Sequence, residues 1–407
     1  MKHRGRKRIL VALACVLLTA CSARQQPAGD GTGQLVTVLS VDPNQLVMNQ
    51  LGATASLTIG SDGAVTNADV LWQSSDETVV TVSTQGLVTA MGEGTATVTA
   101  GMANVSATAT VIVSTTAFTI SGIVYYEDKQ YTSNGFTGTS QYYPVRYAKV
   151  ELVDSNDSVL LSAITGGDGA YTLGPFVDTT SRVRVRAQTD DTSLPQTTVT
   201  DYSGNIYAAS KTVELGTGVD AVMDLQIAVK NAGGAFNILD VLTYAAQRVK
   251  ELSTTTLPAL NAVWNSGSSS LGTWYCNGYD VVYCPRGAAI YVLGGGISSD
   301  TDEYDDDVLW HEFSHYLENQ FGIADSPGGP HKFTDNDLDL RLSWSEGFGD
   351  FFPAAMKTWM RSDHAAYQSI PDTLDTAYYI DTFGASALSI NIGNPGNAPF
   401  VYASNEI

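Results

Sequence analysis

Charge is scarce in this chain of 407 residues: only 15% of it is Asp, Glu, Lys or Arg. The positive sign is the scarcer, with 21 basic residues against 42 acidic and a net charge of −21. Such a balance argues against nucleic acid as a partner, because no basic surface is available to neutralise phosphates. Histidine is rarer still, at five residues, and cysteine counts four. Beyond the N-terminus no apolar run reaches the roughly 18 residues of a spanning helix. What is plentiful is Thr, Ser, Gly and Val, within a hydrophobic content of 43%. That mixture favours exposed β modules over helical bundles. The length suggests two to four domains.

The N-terminus reads as a processing segment. Lys2, Arg4, Arg6, Lys7 and Arg8 form a basic stretch, and residues 9–19 are apolar but too short to span a bilayer. The stretch closes with Leu18-Thr19-Ala20-Cys21, which resembles the lipobox of bacterial lipoproteins. The resemblance implies lipidation at Cys21 and a signal peptide over 1–21. Ser22, in place of Asp, resembles an outer-membrane address. The expected location is therefore the bacterial cell envelope, lipid-anchored, at the outer membrane or cell surface, without any spanning helix. Loss of residues 1–21 removes five basic and no acidic residues, leaving 16 against 42. Residues 22–33 are small and polar, as in a flexible linker. Cys276 and Cys284 then remain, and a disulfide closing a small loop is the simplest reading in an exported protein.

Residues 34–114 alternate apolar residues with Thr or Ser in short runs, the two-residue period of half-buried strands. The stretch WQSSDETVVTVSTQGLVTAMGEGTATVTA, with Trp72, Gly86 and Gly94, resembles the bacterial Ig-like family, group 2. That resemblance implies a β-sandwich spacer or adhesion module. Residues 118–228 read as a second β module. SGIVYY, AKVELVD and TGGDGAYTLGPF resemble the carboxypeptidase regulatory-like, transthyretin-like family, with Asp168-Gly169 as a hairpin turn before Tyr171. Neither module shows catalytic chemistry.

From residue 229 the composition shifts. Residues 236–252 carry apolar side chains at helical period, and Ala288 to Leu293 read as a strand. An acidic run over 300–307 leads into a helical stretch over about 306–321, with Gly322 at its stop. Within that helix stands His311-Glu312-Phe313-Ser314-His315. Positions i and i+4 lie on one helix face, so both imidazoles can reach one metal ion. The intervening Glu312 is rotated by about 100° and can approach a water on the metal without ligating it. Zinc needs a third protein ligand and an open fourth position. Glu318 and Phe321 stand where a metzincin would have Gly and His, which excludes that class. Glu346, in Trp344-Ser345-Glu346-Gly347-Phe348-Gly349-Asp350, is the preferred third ligand, ahead of Asp302, Glu303 and Glu318. Asp350, one turn later, can accept the distal N–H of a zinc histidine, most readily His311.

HEFSHYLENQFG, DSPGGPH and RLSWSEGFGDFF together resemble the gluzincin metallopeptidases, thermolysin-like and fungalysin-like. The resemblance spans about residues 235–360. It implies a multidomain chain: two all-β sandwich domains followed by an α+β zincin-like catalytic domain over 229–407. The implied activity is a zinc endopeptidase with Glu312 as general base, acting on a protein or peptide substrate laid along AAIYVL as the sheet edge. Departures are plain. Only 57 residues follow Asp350, so a C-terminal lobe is short, different or missing. The oxyanion partner is then open among His331, His364 and Tyr367, and Pro353 predicts a kink in the second helix. The acidic run is either a calcium site without an EF-hand pattern or a solvated loop capping a helix. The competing functional class is a surface adhesion or scaffold protein with a degenerate zincin unit.

Overall fold

The computed structural model describes residues 38–102, 105–177, 181–213, 220–267, 272–279, 282–295, 300–329, 331, 338–363 and 378–392. The signal segment, Cys21, the linker, His364 and Tyr367 lie outside the described residues.

The first nine strands are β1 (Leu39–Asp42), β2 (Gln45–Met48), β3 (Thr54–Ser56), β4 (Thr58–Ser61), β5 (Leu71–Ser74), β6 (Val80–Val82), β7 (Leu87–Ala90), β8 (Gly94–Met102) and β9 (Val105–Val113). They form sheets ordered β2-β9-β8-β5, β3-β7-β6 and β1-β4. Alternation does the sorting: in β8, Ala96, Val98 and Ala100 face inward while their Thr neighbours face out or half-out. The inward residues build a core of their own with Leu57, Trp72, Val88 and Val111.

Ten more strands follow: β10 (Phe118–Thr132), β11 (Gly135–Pro144), β12 (Ala148–Val153), β13 (Val159–Ile164), β14 (Ala170–Phe176), β15 (Arg182–Thr189), β16 (Thr197–Thr200), β17 (Ala208–Thr212), β18 (Ala221–Val222) and β19 (Leu225–Ile227). The turn at Asp168-Gly169 does not close a hairpin as expected. It carries the chain between sheets, since β13 pairs with β12 whereas β14 pairs with β10. Both faces of the module are apolar where they meet, so crossing between layers buries more surface than folding back.

Helix α1 (Gly234–Leu252) then packs across the module, followed by β20 (Leu260–Trp264), β21 (Trp274–Cys276), β22 (Ala289–Val292), α2 (Asp306–Gln320), α3 (Leu340–Asp363), β23 (Tyr378–Phe383) and β24 (Ser386–Asn391). One mixed sheet runs β13-β12-β15-β16-β20-β22-β21. It crosses residue 229, because β16 pairs in parallel with β20. A single apolar core likewise extends from Phe118 through Phe236 and Trp310 to Met360. The seam is fastened by a buried polar cluster. Arg146 donates to Asp240 at 2.7–2.8 Å and stacks on Tyr244, and the Tyr126 hydroxyl donates to Asp240.

The segment Ala288 to Leu293 is not a sheet edge. Its strand β22 is flanked by β20 in parallel and β21 antiparallel. The loop bearing the Cys276–Cys284 disulfide folds back as an extra strand and takes the outer position. Helix α2 stops at Phe321, with Gly322 at φ 67°, a left-handed conformation that costs glycine little. Helix α3 stays helical across Pro353. Among the described residues no helix is long and apolar enough to cross a membrane.

Candidate metal centre

Helices α2 and α3 pack against each other, and their facing side chains form the site. From α2 come His311 and His315, one turn apart; from α3 comes Glu346. One ligand atom from each lies within 4.8 Å of the others. His311 Nε2 is 3.0 Å from Glu346 Oε2 and 3.1 Å from His315 Nε2, and the third side of the triangle is 3.4 Å. Four donors around zinc at 2.0–2.1 Å would stand about 3.3 Å apart at tetrahedral angles. Two nitrogens and an oxygen with that spacing fit the ion.

The far nitrogens of both rings are held as well. His311 Nδ1 is 3.1 Å from Asp350 Oδ1. His315 Nδ1 is 3.2 Å from Glu318 Oε2 and from Ser345 Oγ, and Ser345 donates to Glu318 at 2.6 Å. Each Nδ1 thus has a carboxylate to receive its proton, which turns the Nε2 lone pair toward the centre. Asp350 was anticipated in that role for His311. The Glu318–Ser345 pair was not, because only the approach of α3 turns Glu318 from a rival ligand into a partner for His315.

Why can two helices come so close here? Gly349 supplies the reason. A Cβ at that position would lie 2.5 Å from His311 Cε1 and 2.7 Å from both ring nitrogens. The glycine that weakens a helix in isolation gives the imidazole its seat.

Glu312 is buried beside the triangle and is not one of its three corners. Its Oε2 accepts the backbone N–H of Tyr275, in the outer strand β21, at 2.6 Å. The carboxylate therefore bridges α2 and the sheet edge. Burial pushes its pKa up, with Glu346 adding to this and the two histidines opposing it. For Glu346, burial alone would raise the pKa, yet hydrogen bonds from His311, His315 and His331 pull it well below the ordinary range. His315 is pushed up to about 9: burial disfavours its cation, but Glu318 and Glu346 outweigh that. The field at the centre is strongly negative and suited to a divalent cation.

His331 stands at the rim, with Nε2 3.5 Å from Glu346 Oε2 and Nδ1 2.9 Å from the Gly329 carbonyl. Tyr379, on β23, also borders the centre, its ring 5.7 Å from that of His311. No motif marked it, since β23 reaches the site only through the packing of the C-terminal hairpin. Asp302 and Glu303 are not at the centre: they are engaged by Thr273 and Thr301. Nor is the acidic run a solvated loop. Asp302, Glu303, Asp305, Asp306 and Asp307 are all at most 5% exposed.

Residues 35–113 match the family described as bacterial Ig-like domain (group 2). This segment is a group 2 bacterial Ig-like domain. The match agrees with the sandwich of β1–β9 and ends at the last residue of β9. No curated protein matches the chain in sequence. Among solved structures, domains 5–6 of the S-layer protein SbsC overlap 44% of this chain and 98% of their own, at 16% identity and a TM-score of 0.17. The first two cadherin repeats of human protocadherin-24 overlap 47% of this chain and 99% of theirs, at 11% identity and a TM-score of 0.16. The D00-D0 domain of intimin overlaps 44% and 100%, at 15% identity and a TM-score of 0.15. Overlaps at these scores carry no argument about the chain as a whole.

Proposed function

We propose that the chain is a zinc-dependent endopeptidase of gluzincin type, held at the bacterial cell surface by a lipid on Cys21. The carrying observation is the convergence of His311, His315 and Glu346, with Glu312 anchored beside them on the outer strand. His311, His315 and Glu346 would hold the ion through Nε2, Nε2 and Oε2. Bound there, zinc would acidify a water to a pKa near 7 and polarise the scissile carbonyl.

The protein's own part follows from the geometry. An extended peptide would pair with the free edge of β21, on the side that carries Tyr275. Glu312 sits between that edge and the metal ligands. It takes the proton of the attacking water on its carboxylate and hands it to the leaving amine. Asp350 and Glu318 hold the two imidazoles in the tautomer that leaves Nε2 free. His331, at the rim, is the described residue best sited to donate to a developing oxyanion. The Ig-like domain supports placement outside the cell, as a spacer between anchor and enzyme.

Glu312→Gln tests the reading. It should leave zinc at one equivalent per chain and lower cleavage of unfolded casein by at least about 100-fold. Wild-type protein that binds zinc and cleaves no unfolded protein would instead favour the adhesion or scaffold reading, with a degenerate zincin unit.

A further inference from the structure

A second group of acidic side chains lies near the histidine centre. Asp300 and Asp302, in the loop before α2, and Asp381, on β23, bring one carboxylate oxygen each within 4.8 Å of one another. A cluster of carboxylates alone means little, since solvent usually satisfies it. Here part of the cluster is sealed from solvent, with Asp302 buried and Asp300 and Asp381 half-buried. Asp302 is 4% exposed, its Oδ2 accepts from the Thr273 hydroxyl, and its Oδ1 has no hydrogen-bond partner. Asp300 Oδ1 is likewise buried and unpartnered. Beside them Asp305, fully buried, accepts the Thr382 N–H through Oδ2 at 2.6 Å while its Oδ1 is unpartnered. Leaving so many acceptors dry and unmatched would cost several kcal/mol in total.

We infer that Asp300, Asp302 and Asp381 form a calcium site that fastens the β23–β24 hairpin to the loop leading into the metal helix. The donors are hard oxygens only, with no nitrogen or sulfur, which suits Ca2+ over zinc. The geometry gives the ion a structural task. The hairpin already touches this region through the Thr382 N–H on Asp305 and the Ile380 N–H on Asp307. Asp381 stands between those two anchor points, so the repulsion of three carboxylates would push the hairpin off where two hydrogen bonds draw it in. A divalent cation reverses the sign of that interaction. Tyr379, which flanks His311, belongs to the same strand. Calcium would therefore also set the wall of the histidine centre. The inference does not depend on the peptidase reading, because it concerns binding of a separate ion by separate residues.

The test uses the full chain, freed of calcium, with zinc supplied at one equivalent. Calcium chloride is titrated in, and binding is followed by calorimetry and by thermal unfolding. We expect one Ca2+ per chain with a Kd of about 10⁻⁵–10⁻³ M, and a Tm rise of about 5 °C near saturation. In Asp302→Asn/Asp381→Asn the tight binding and the Tm rise should vanish while zinc content stays at one. In calcium-free buffer this variant should melt no lower than wild type, because repulsion is relieved; a merely structural role for the carboxylates predicts the opposite. Absence of binding up to about 10 mM Ca2+ would overturn the inference, as would an unchanged affinity in the double variant.

Discussion

Replacing Gly349 by alanine perturbs the histidine centre without touching a ligand. In a helix interior the exchange should stabilise by up to about 1 kcal/mol through propensity alone. The structure reverses that expectation. The new methyl would sit 2.5 Å from His311 Cε1, where ordinary contact is 3.4–4 Å, so the ring or the helix must retreat by roughly 1 Å. Zinc ligands tolerate only about 0.2 Å. His311 Nε2 would leave the triangle, and its bond to Asp350 would be lost with it. Loss of zinc affinity should exceed the roughly 10–100-fold that outer-partner changes cost. Overpacking costs about 1–3 kcal/mol and is partly offset by the propensity gain, so the fold should survive. Competition against a chromophoric chelator measures the affinity, and circular dichroism melts of the metal-free protein measure the fold. In a His311→Ala background the same glycine change should turn neutral or stabilising, because the obstacle is gone. Gly349→Ala protein that binds zinc as tightly as wild type would refute the reasoning.

Three further outcomes are expected. Asp350→Asn should lower zinc affinity by about 10–100-fold, measured by chelator competition, because His311 Nδ1 loses its carboxylate. Lys357→Met should destabilise the protein by about 3–5 kcal/mol in urea unfolding, since Asp307 would be left as an uncompensated buried charge. Glu151 should make stability pH-dependent. Burial raises its pKa, but hydrogen bonds from Arg186 and Arg184 win, and the net shift is downward from 4.5. Its contribution is thus full above pH 4.5 and is lost as pH falls through the lower folded value. The stability difference between wild type and Glu151→Gln should therefore shrink on acidification below that point, and a difference constant from pH 7 to pH 3 would contradict it.

Local periodicity was enough to read the first sandwich, α1 and α2 from the amino-acid order. The alternation of Val and Thr in residues 94–113 fixes which face is buried, and the i, i+4 spacing of His311 and His315 fixes a shared face whatever the helix packs on. Gly322 likewise carries its own backbone conformation. These are short-range properties, decided within one or two turns. What depends on approach between distant segments was not legible. The 168–169 turn looks like a hairpin locally, and only layer packing sends its two strands to different sheets. Ala288 to Leu293 could not be placed inside or at the edge of a sheet until β21 folded beside it. The roles of Glu318 and Ser345, the seat that Gly349 gives His311, and the meeting of Asp381 with Asp300 and Asp302 all join residues 27 to 81 positions apart. A charge pattern along the chain carries no distance of that kind. Burial then converts the acidic run from a surface feature into a set of buried carboxylates, because the β23–β24 hairpin, 73 to 77 positions further along the chain, hydrogen-bonds to Asp307 and Asp305.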